Sequence, residues 1–300
     1  MQEKKLSIIT LSYNTRDLTL QCLESIKQIG QRQDCEIFIV DNNSSDDSVP
    51  AIKKSYPWVR LIENKENLGF ARANNQAIRL AQGQYILLLN SDTENIDNGI
   101  EKTLEYLEQN PQLDVVTCRV ELADGNLDWA CHRGFPTPWA SFCYYAKLEK
   151  LFPKSRLFSK YHLTYQSLSE PHEIDTPSGC FYLVRKSTID RVGLLDQDYF
   201  FFGEDVDWSY RIKQTGGKIY YYPEAKIIHY KGVSSGIKKE TAEKTKASAE
   251  IKRKSVNYFY DAMKIFYTKH YKNKYLFVVN WLVYAGIAIK RKMSLRKLSV

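Results

Sequence analysis

The chain has 300 residues and a mass of 34.9 kDa, which suits one large domain or two small ones. Hydrophobic residues make up 43% and charged residues 26%, values that exclude a disordered, collagenous or multi-span membrane chain. The net charge of +8 hides an asymmetry: residues 238–300 contain 16 Lys and Arg against 4 Asp and Glu, whereas residues 1–237 contain 27 against 31. Such a basic tail is expected to meet an anionic partner, a membrane surface or a nucleic acid, unless it is only a solvated face.

The first half of the chain alternates apolar runs with segments of helical spacing. The runs are rich in Ile, Val and Leu, which predicts buried strands. These strands are Leu6–Ser12, Glu36–Val40, Val59–Ile62, Tyr85–Leu89 and Val115–Leu122. The helices predicted between them are Thr15–Ile29, Ser48–Ser55, Phe70–Ala81 and Asp97–Gln109. This order predicts an α/β fold, with a mostly parallel sheet flanked by helices and a ligand crevice at the carboxyl ends of the strands.

The second half is less regular. Residues 130–175 contain four prolines and many aromatic residues, which predicts a variable helical insertion. A further strand is predicted at Phe181–Val184, a helix at Glu204–Gln214, and two short strands at Lys218–Tyr222 and Lys226–Tyr230. Beyond Gly236 a helical tail is predicted. The chain is therefore divided into a body at 1–237 and a basic, aromatic tail at 238–300.

The six cysteines contain no pair with C-x-x-C spacing, which argues against a zinc ribbon or a redox motif. They fall mostly in apolar stretches, as buried free thiols do. The apolar run Leu6–Leu11 is too short for a secretory signal. We therefore expect a cytoplasmic protein with reduced thiols.

Polar side chains follow two of the predicted strands. Asp41 ends the second strand, where its carboxylate can accept hydrogen bonds from a ligand or form an Asx turn or a helix N-cap. Asn90-Ser91-Asp92 follows the fourth strand, where Asp92 can hold Mg²⁺ or Mn²⁺ or only form the turn into the next helix.

Two further candidates lie in the second half. Glu204 and Asp205 open a helix after the aromatic loop 199–203, where they complement the helix dipole or, partly desolvated, act as a base. His229 lies near a strand end, where a histidine is either structural or a ligand.

The order and spacing of these residues resemble the glycosyltransferase family 2 proteins, which have a GT-A fold. The subgroup that the chain looks most similar to is the rhamnosyltransferase-like enzymes of bacterial surface polysaccharide assembly. The resemblance runs from Leu6 to Ser235. Its motifs are Ser12-Tyr13-Asn14, Val40-Asp41-Asn42-Asn43-Ser44-Ser45-Asp46, Asn67-Leu68-Gly69-Phe70-Ala71-Arg72-Ala73-Asn74-Asn75, Leu88-Leu89-Asn90-Ser91-Asp92-Thr93, Ser178-Gly179-Cys180-Phe181, Phe201-Phe202-Gly203-Glu204-Asp205-Val206-Asp207-Trp208 and His229-Tyr230-Lys231-Gly232-Val233-Ser234.

The resemblance implies roles for these residues and makes 1–237 a catalytic domain. Asp205 would be the general base, with Glu204 as the fallback. Asp92 would bind Mg²⁺ or Mn²⁺, with His229 as a second ligand, in a D-x-D motif whose first position is here the neutral Asn90. The residues expected to bind the nucleotide sugar are Tyr13, Asn14, Asp41, Asn67, Gly69, Arg72, Asn90 and Ser91.

Gly179 and Cys180 are expected where the acceptor approaches. The region Trp129–Trp139, which includes Arg133, is a further candidate for that place, although core packing is the preferred alternative for both tryptophans.

The reaction implied is an inverting transfer of a sugar, with rhamnose from dTDP-rhamnose as the leading donor, to a saccharide or lipid-linked saccharide. UDP-hexose and UDP-N-acetylhexosamine donors are alternatives, as is an inactive nucleotide-sugar-binding module. A nucleic-acid binder is not favoured, because no recognition motif is present.

The tail contains the 15-residue apolar run Tyr275–Ile289, flanked by Lys274 and Lys290. As a helix it would be about 22 Å long, short of the ~30 Å hydrocarbon core. It is therefore expected to lie in the interface of an anionic membrane, at the inner face of the cell membrane, rather than to span it. A helix that packs back on the body or forms a dimer contact is the alternative, so an oligomer stays open.

Overall fold

The computed structural model describes residues 4–231 and 249–298. Nine strands form one sheet in the described chain. They are β1 (Leu6–Ser12), β2 (Cys35–Asp41), β3 (Arg60–Glu63), β4 (Tyr85–Leu89), β5 (Thr93–Asn95), β6 (Val115–Leu122), β7 (His172–Glu173), β8 (Phe181–Arg185) and β9 (Ile219–His229).

Helices cover the sheet and extend beyond it. They are α1 (Arg16–Ser25), α2 (Lys27–Gly30), α3 (Ser48–Ser55), α4 (Phe70–Leu80), α5 (Gly99–Gln109), α6 (Pro138–Tyr145), α7 (Leu148–Leu151), α8 (Lys186–Val192), α9 (Glu204–Gln214), α10 (Ala249–His270) and α11 (Phe277–Lys297).

The direction of the strands changes across the sheet, whose order is β3-β2-β1-β4-β8-β6-β9-β5, with β7 on β9. The first four strands are parallel, as the sequence predicts, and β8 runs antiparallel to both of its neighbours. Because β8 is reversed, its first residue Phe181 pairs with Leu89, the last residue of β4. The residues just before β8 therefore lie at the same edge as the carboxyl ends of β1, β2 and β4.

Two predicted boundaries differ for reasons of backbone geometry. The two short strands expected near the end of the body form the single strand β9, whose pairing with β6 skips from Tyr222 to Lys226. Pro223 lies in that gap and has no N–H to donate to a ladder. α5 begins at Gly99 rather than Asp97, because Asp97 and Asn98 have φ angles of +50° and +57°.

The predicted helix Thr15–Ile29 is divided into α1 and α2 at Ile26, which leaves helical geometry at φ −111° and ψ 10°. The predicted insertion contains a short 3-10 turn at Trp129–Cys131, the helices α6 and α7, and the two-residue strand β7. All six cysteines are free and buried. Burial raises the pKa of Cys22 to about 12.

The tail is docked on the body through α10. Phe266 of α10 packs in a buried cluster with Val206 and Tyr210 of α9, and the imidazole Nε2 of His270 lies 2.7 Å from the buried carboxylate of Asp207. The sequence leaves open whether the tail packs against the body. In the structure α10 does pack there. Within the described residues, no helix is both long and apolar enough to cross a membrane.

The contact between α9 and α10 makes a stability prediction. Phe266→Ala should lower the free energy of unfolding by about 3–5 kcal/mol, because it leaves a cavity in this cluster. Phe277→Ala is the matched control, since the Phe277 side chain is 79% exposed. Urea denaturation of both variants measures the difference, and equal midpoints would contradict the docking of α10.

Candidate active site

Asp41 ends β2 with its side chain buried. One oxygen, Oδ2, accepts a hydrogen bond from the backbone N–H of Ser44 at 2.9 Å, which is the Asx turn considered as an alternative. The other oxygen, Oδ1, is buried and has no partner in the part of the chain that the structure describes. A buried carboxylate oxygen without a donor is costly, so Asp41 forms the turn and still has an acceptor free for a ligand N–H.

Tyr13 and Asn14 lie in the loop after β1, beside this turn. Asn14 has a φ of +53°; its N–H donates to Ser44 Oγ at 2.9 Å, and its Oδ1 accepts the N–H of Ser45 at 2.8 Å. The Tyr13 ring is 36% exposed. Hydrogen bonds thus join the loop that contains Tyr13 and Asn14 to the loop that follows Asp41.

Asn42 fixes the loop that contains Asn67. Its Nδ2 donates to Asn67 Oδ1 at 2.8 Å, and its Oδ1 accepts the N–H of Leu68 at 3.0 Å. Asn42 is fully buried, and in the sequence it was marked only as part of the motif that contains Asp41.

Gly69 has a φ of +78° and allows a close approach between two loops. A Cβ at this position would lie 2.4 Å from the carbonyl oxygen of Phe200, which accepts the N–H of Phe70 at 2.7 Å. Only glycine satisfies both the backbone angle and the space. Arg72 is exposed on the first turn of α4, with no partner among the described residues.

Asn90, Ser91 and Asp92 follow β4, and each contacts a different segment. The Asn90 N–H donates to the carbonyl oxygen of Cys180 at 3.0 Å, and the Ser91 hydroxyl lies 3.1 Å from that of Thr15. Asp92 Oδ1 lies 3.2 Å from His229 Nε2, because β5 pairs with β9 directly after Asp92.

His229 lies between two carboxylates, with Asp128 Oδ2 3.1 Å from its Nδ1. Burial disfavours the charged imidazole, but Asp92 and Asp128 outweigh burial and hold the pKa of His229 well above its usual range. The charge and hydrogen bond of His229 lower the pKa of Asp92 in turn, although burial alone would raise it. In the sequence nothing linked Asp128 to this group.

Asp92 and His229 are two side chains that could hold a divalent cation. A carboxylate oxygen and an imidazole nitrogen are suitable ligands for Mn²⁺, and the 3.2 Å between them is close to the ~3.0 Å that separates neighbouring octahedral ligands at about 2.1 Å. His229 would exchange the proton that it donates to Asp92 for the metal. The ligand atoms of Asp128, Cys180 and His229 also lie within 4.8 Å of one another, and this second set includes a thiol, which Mg²⁺ does not favour.

Asp205 is held by Arg133, whose Nη2 donates to Asp205 Oδ2 at 2.9 Å. The N–H of Gly179 reaches the same oxygen at 3.2 Å, whereas within the described residues Oδ1 accepts only the N–H of the adjacent Val206. Both charged side chains are mostly buried. Arg133, expected only to face the acceptor, therefore contacts the predicted base directly.

Neither tryptophan of the region Trp129–Trp139 belongs to the core. Their side chains are 37% and 43% exposed, so the packing alternative is wrong for both.

Glu204 is buried next to Asp205, and its Oε2 has no partner among the described residues. Burial and then the negative charge of Asp205 raise the pKa of Glu204, so it keeps its proton to a higher pH than an ordinary glutamic acid. The desolvation expected for a carboxyl group beside the aromatic loop is thus found at Glu204.

Gly179 and Cys180 connect these groups. The first bonds Asp205 and the second bonds Asn90, and a Cβ on Gly179 would lie 3.4 Å from the Phe70 ring. Since Phe70 directly follows Gly69, the loop fixed by Asn42 reaches the same place. Contacts therefore join the predicted nucleotide, metal and base residues into one site at the carboxyl edge of the sheet.

Residues 7–193 match the sequence profile of the family described as glycosyl transferase family 2. The chain belongs to this family. Its members transfer sugars from nucleotide-sugar donors, so it is a glycosyltransferase with a nucleotide-sugar donor and a saccharide acceptor. Over 244 residues it is 26% identical to an N-acetylglucosaminyl-diphospho-decaprenol L-rhamnosyltransferase of Mycobacterium tuberculosis, an alignment that covers 77% of this chain and 78% of that protein.

Two further likenesses are shorter or more distant. The chain is 41% identical over 93 residues to a poly(ribitol-phosphate) beta-glucosyltransferase of Bacillus spizizenii, covering 29% of this chain and 15% of that one. The crystal structure of TarS residues 1–349 from S. aureus superposes with a TM-score of 0.53 at 13% identity, covering 85% of this chain and 65% of that chain. This last likeness concerns the fold alone, and it confirms the GT-A class that the sequence predicts.

The close approach at Gly69 makes a second stability prediction. Gly69→Ala should lower the free energy of unfolding by about 1–3 kcal/mol more than Gly125→Ala, because both have positive φ but only Gly69 has a neighbour within 4 Å. Urea denaturation compares the two variants. Equal losses would mean that the loops do not approach as closely as described.

Proposed function

We propose that this chain is an inverting glycosyltransferase that uses Asp205 as its general base. The observation that supports it is the position of Asp205, which is bonded to Arg133 and to the N–H of Gly179. Gly179 is followed in the chain by Cys180, whose carbonyl oxygen accepts the N–H of Asn90. A base and a candidate metal ligand thus border the same site, as transfer from a nucleotide diphosphate requires.

The nucleotide would lie against Asp41. Its free Oδ1 accepts an N–H from the base, and the exposed Tyr13 ring lies beside the same turn. Asn14 holds this part of the site in place. The residues proposed to lie along the sugar and the diphosphate are Asn67, Gly69, Arg72, Asn90 and Ser91.

Asp92 and His229 would hold Mg²⁺ or Mn²⁺. Such an ion, when bound, offsets the negative charge that grows on the departing diphosphate. Both side chains are already buried and in contact, and His229 would release the proton that it donates to Asp92 when the ion binds.

The acceptor hydroxyl gives its proton to Asp205 as its oxygen attacks the anomeric carbon. Oδ1 is the suitable atom, because Arg133 and Gly179 occupy Oδ2. The bond from the anomeric carbon to the diphosphate breaks on the opposite face, so the configuration inverts. Glu204 is the poorer base, since it is buried and keeps its proton.

The leading donor is dTDP-rhamnose and the leading acceptor a lipid-linked saccharide. The name of the mycobacterial relative supports the rhamnosyl group and the lipid-linked acceptor. A UDP-hexose donor is the alternative, which the glucosyltransferase of Bacillus spizizenii supports. A lipid-linked acceptor would be met at the cytoplasmic face of the membrane, where the basic tail is proposed to bind. An inactive nucleotide-sugar-binding module fits less well, because Asp92, His229 and Asp205 are all in place.

The base assignment predicts a loss of turnover. Asp205→Asn should lower transfer by about 10²–10⁴-fold, because the proton acceptor is removed, while nucleotide-sugar affinity is kept. Glu204→Gln is the matched control: it replaces a protonated carboxyl by a group of the same shape and should keep most activity. Transfer assays with a panel of nucleotide sugars, with calorimetric donor affinities, measure both. Wild-type rates in Asp205→Asn would refute the assignment.

The metal assignment predicts a loss of metal-dependent binding. Mn²⁺ should tighten donor binding to the wild type at least about tenfold, or ~1.4 kcal/mol, but should not do so for Asp92→Ala. Asp124→Ala, in an exposed turn, is the control and should respond like the wild type. Equal affinity with Mn²⁺ and with EDTA in all three proteins would rule out the site.

A further inference from the structure

The helix α11 is fixed to α10 through one face. The hydroxyl groups of Tyr260 and Ser294 lie 2.8 Å apart, and the Arg291 guanidinium lies 2.8 Å from the carboxylate of Asp261. Val283 packs against the buried cluster between α9 and α10. Because these contacts are spread along the helix, its rotation about its own axis is fixed and the opposite face points away from the protein.

That opposite face, here called the outer face of α11, is apolar and exposed. Its large side chains are 48–79% exposed, and the 21-residue helix is about 31 Å long. They are Phe277, Val278, Trp281, Leu282, Ile289 and Met293. Large apolar side chains that lie exposed together on one helix face are typical of a binding surface.

The charge around this strip has one sign. From Ala262 to Val300 the sequence contains nine Lys and Arg residues and no Asp or Glu. A strip of aromatic and aliphatic side chains among cations is the pattern of a helix that lies in the interface of an anionic bilayer.

The insertion repeats the same pattern. Its exposed apolar side chains, here called the insertion patch, are 43–68% exposed, and they are Trp139, Phe142, Leu151, Phe152 and Leu157. The rings of Trp139 and Phe142 lie 5.7 Å apart. Residues 138–160 contain five Lys and Arg residues and one acidic residue, Glu149, which is buried and bonded to His162.

The two surfaces meet at Lys290. This residue flanks Ile289 on α11, and its ammonium group lies 4.5 Å from the ring centroid of Tyr145, the last residue of α6. The side chain of Lys290 thus joins α11 directly to the helix that contains Trp139 and Phe142.

We propose that the insertion patch and the outer face of α11 form one surface that docks on an anionic lipid bilayer. This inference deepens the proposed function and rests on it, because a lipid-linked acceptor would be met at the membrane. It adds a second membrane-binding element, located in the body and far from the tail in sequence. Arg133, which holds Asp205, lies five residues before the first residue of α6.

A second copy of the chain suits this surface poorly. Self-association through it would bring two surfaces rich in Lys and Arg together, and like charges across an interface cost free energy. Anionic headgroups instead neutralise these cations while the aromatic side chains enter the acyl boundary.

The test is flotation of the purified full-length chain with phosphatidylcholine vesicles that contain or lack phosphatidylglycerol. We expect binding only with the anionic lipid, and weaker binding in high salt. Phe142→Ser with Phe152→Ser, and separately Phe277→Ser with Trp281→Ser, should each lower partitioning at least about tenfold, because each pair removes buried apolar area from the interface. Leu80→Ser, on the exposed side of α4 and 56% exposed, is the matched control and should bind like the wild type.

Three outcomes would overturn the proposal: wild type that does not float with anionic vesicles, insertion variants that bind like the wild type, or a wild-type dimer that the insertion variants convert to monomers. Nucleotide-sugar hydrolysis, measured without lipid on the same proteins, should be unchanged. Flotation without any hydrolysis or transfer would refute the proposed function alone, and hydrolysis without flotation would refute the membrane surface alone.

Discussion

The site depends on two hydrogen bonds made by neighbouring backbone groups. The N–H of Gly179 bonds Asp205, and the carbonyl oxygen of Cys180 accepts the N–H of Asn90. These groups reach the carboxyl edge of the parallel strands only because β8 runs antiparallel to β4. The reversal of one strand therefore brings residues more than a hundred positions apart in the sequence to one place.

Electrostatic pairing then determines the state of each buried acid. Asp92 and Asp128 have a cation beside them in His229, and Asp205 has Arg133. Glu204 has no such partner among the described residues, and its pKa is raised. Burial and the negative charge of Asp205 thus make Glu204 keep its proton to a higher pH than an ordinary glutamic acid.

Much of the fold could be read from local patterns in the sequence. β1, β4, β6, α3 and α9 have the predicted bounds, because each is a clear apolar run or ends at a residue that breaks the pattern. The direction of β8 could not be predicted, since apolar runs do not encode strand polarity. Arg133 and Asp128 were not linked to Asp205 and His229, because their contacts span 72 and 101 residues and have no sequence periodicity.

The site residues themselves were found by family resemblance and polar position, and contacts join most of them, whereas Arg72 is exposed with no partner among the described residues. Contacts that fix the backbone, such as Asn42 to Asn67, escaped sequence reasoning because any buried amide can serve this purpose. The roles in binding and catalysis stay predictions, since side-chain contacts do not record a reaction.

The burial of all six cysteines has a practical consequence. Reaction with a maleimide or an oxidant requires an exposed thiolate, which these side chains do not offer. A cysteine introduced at an exposed position, such as one on the outer face of α11, would then be labelled selectively against the native background. A spin label or fluorophore there would test whether the outer face of α11 enters a lipid surface, and to what depth.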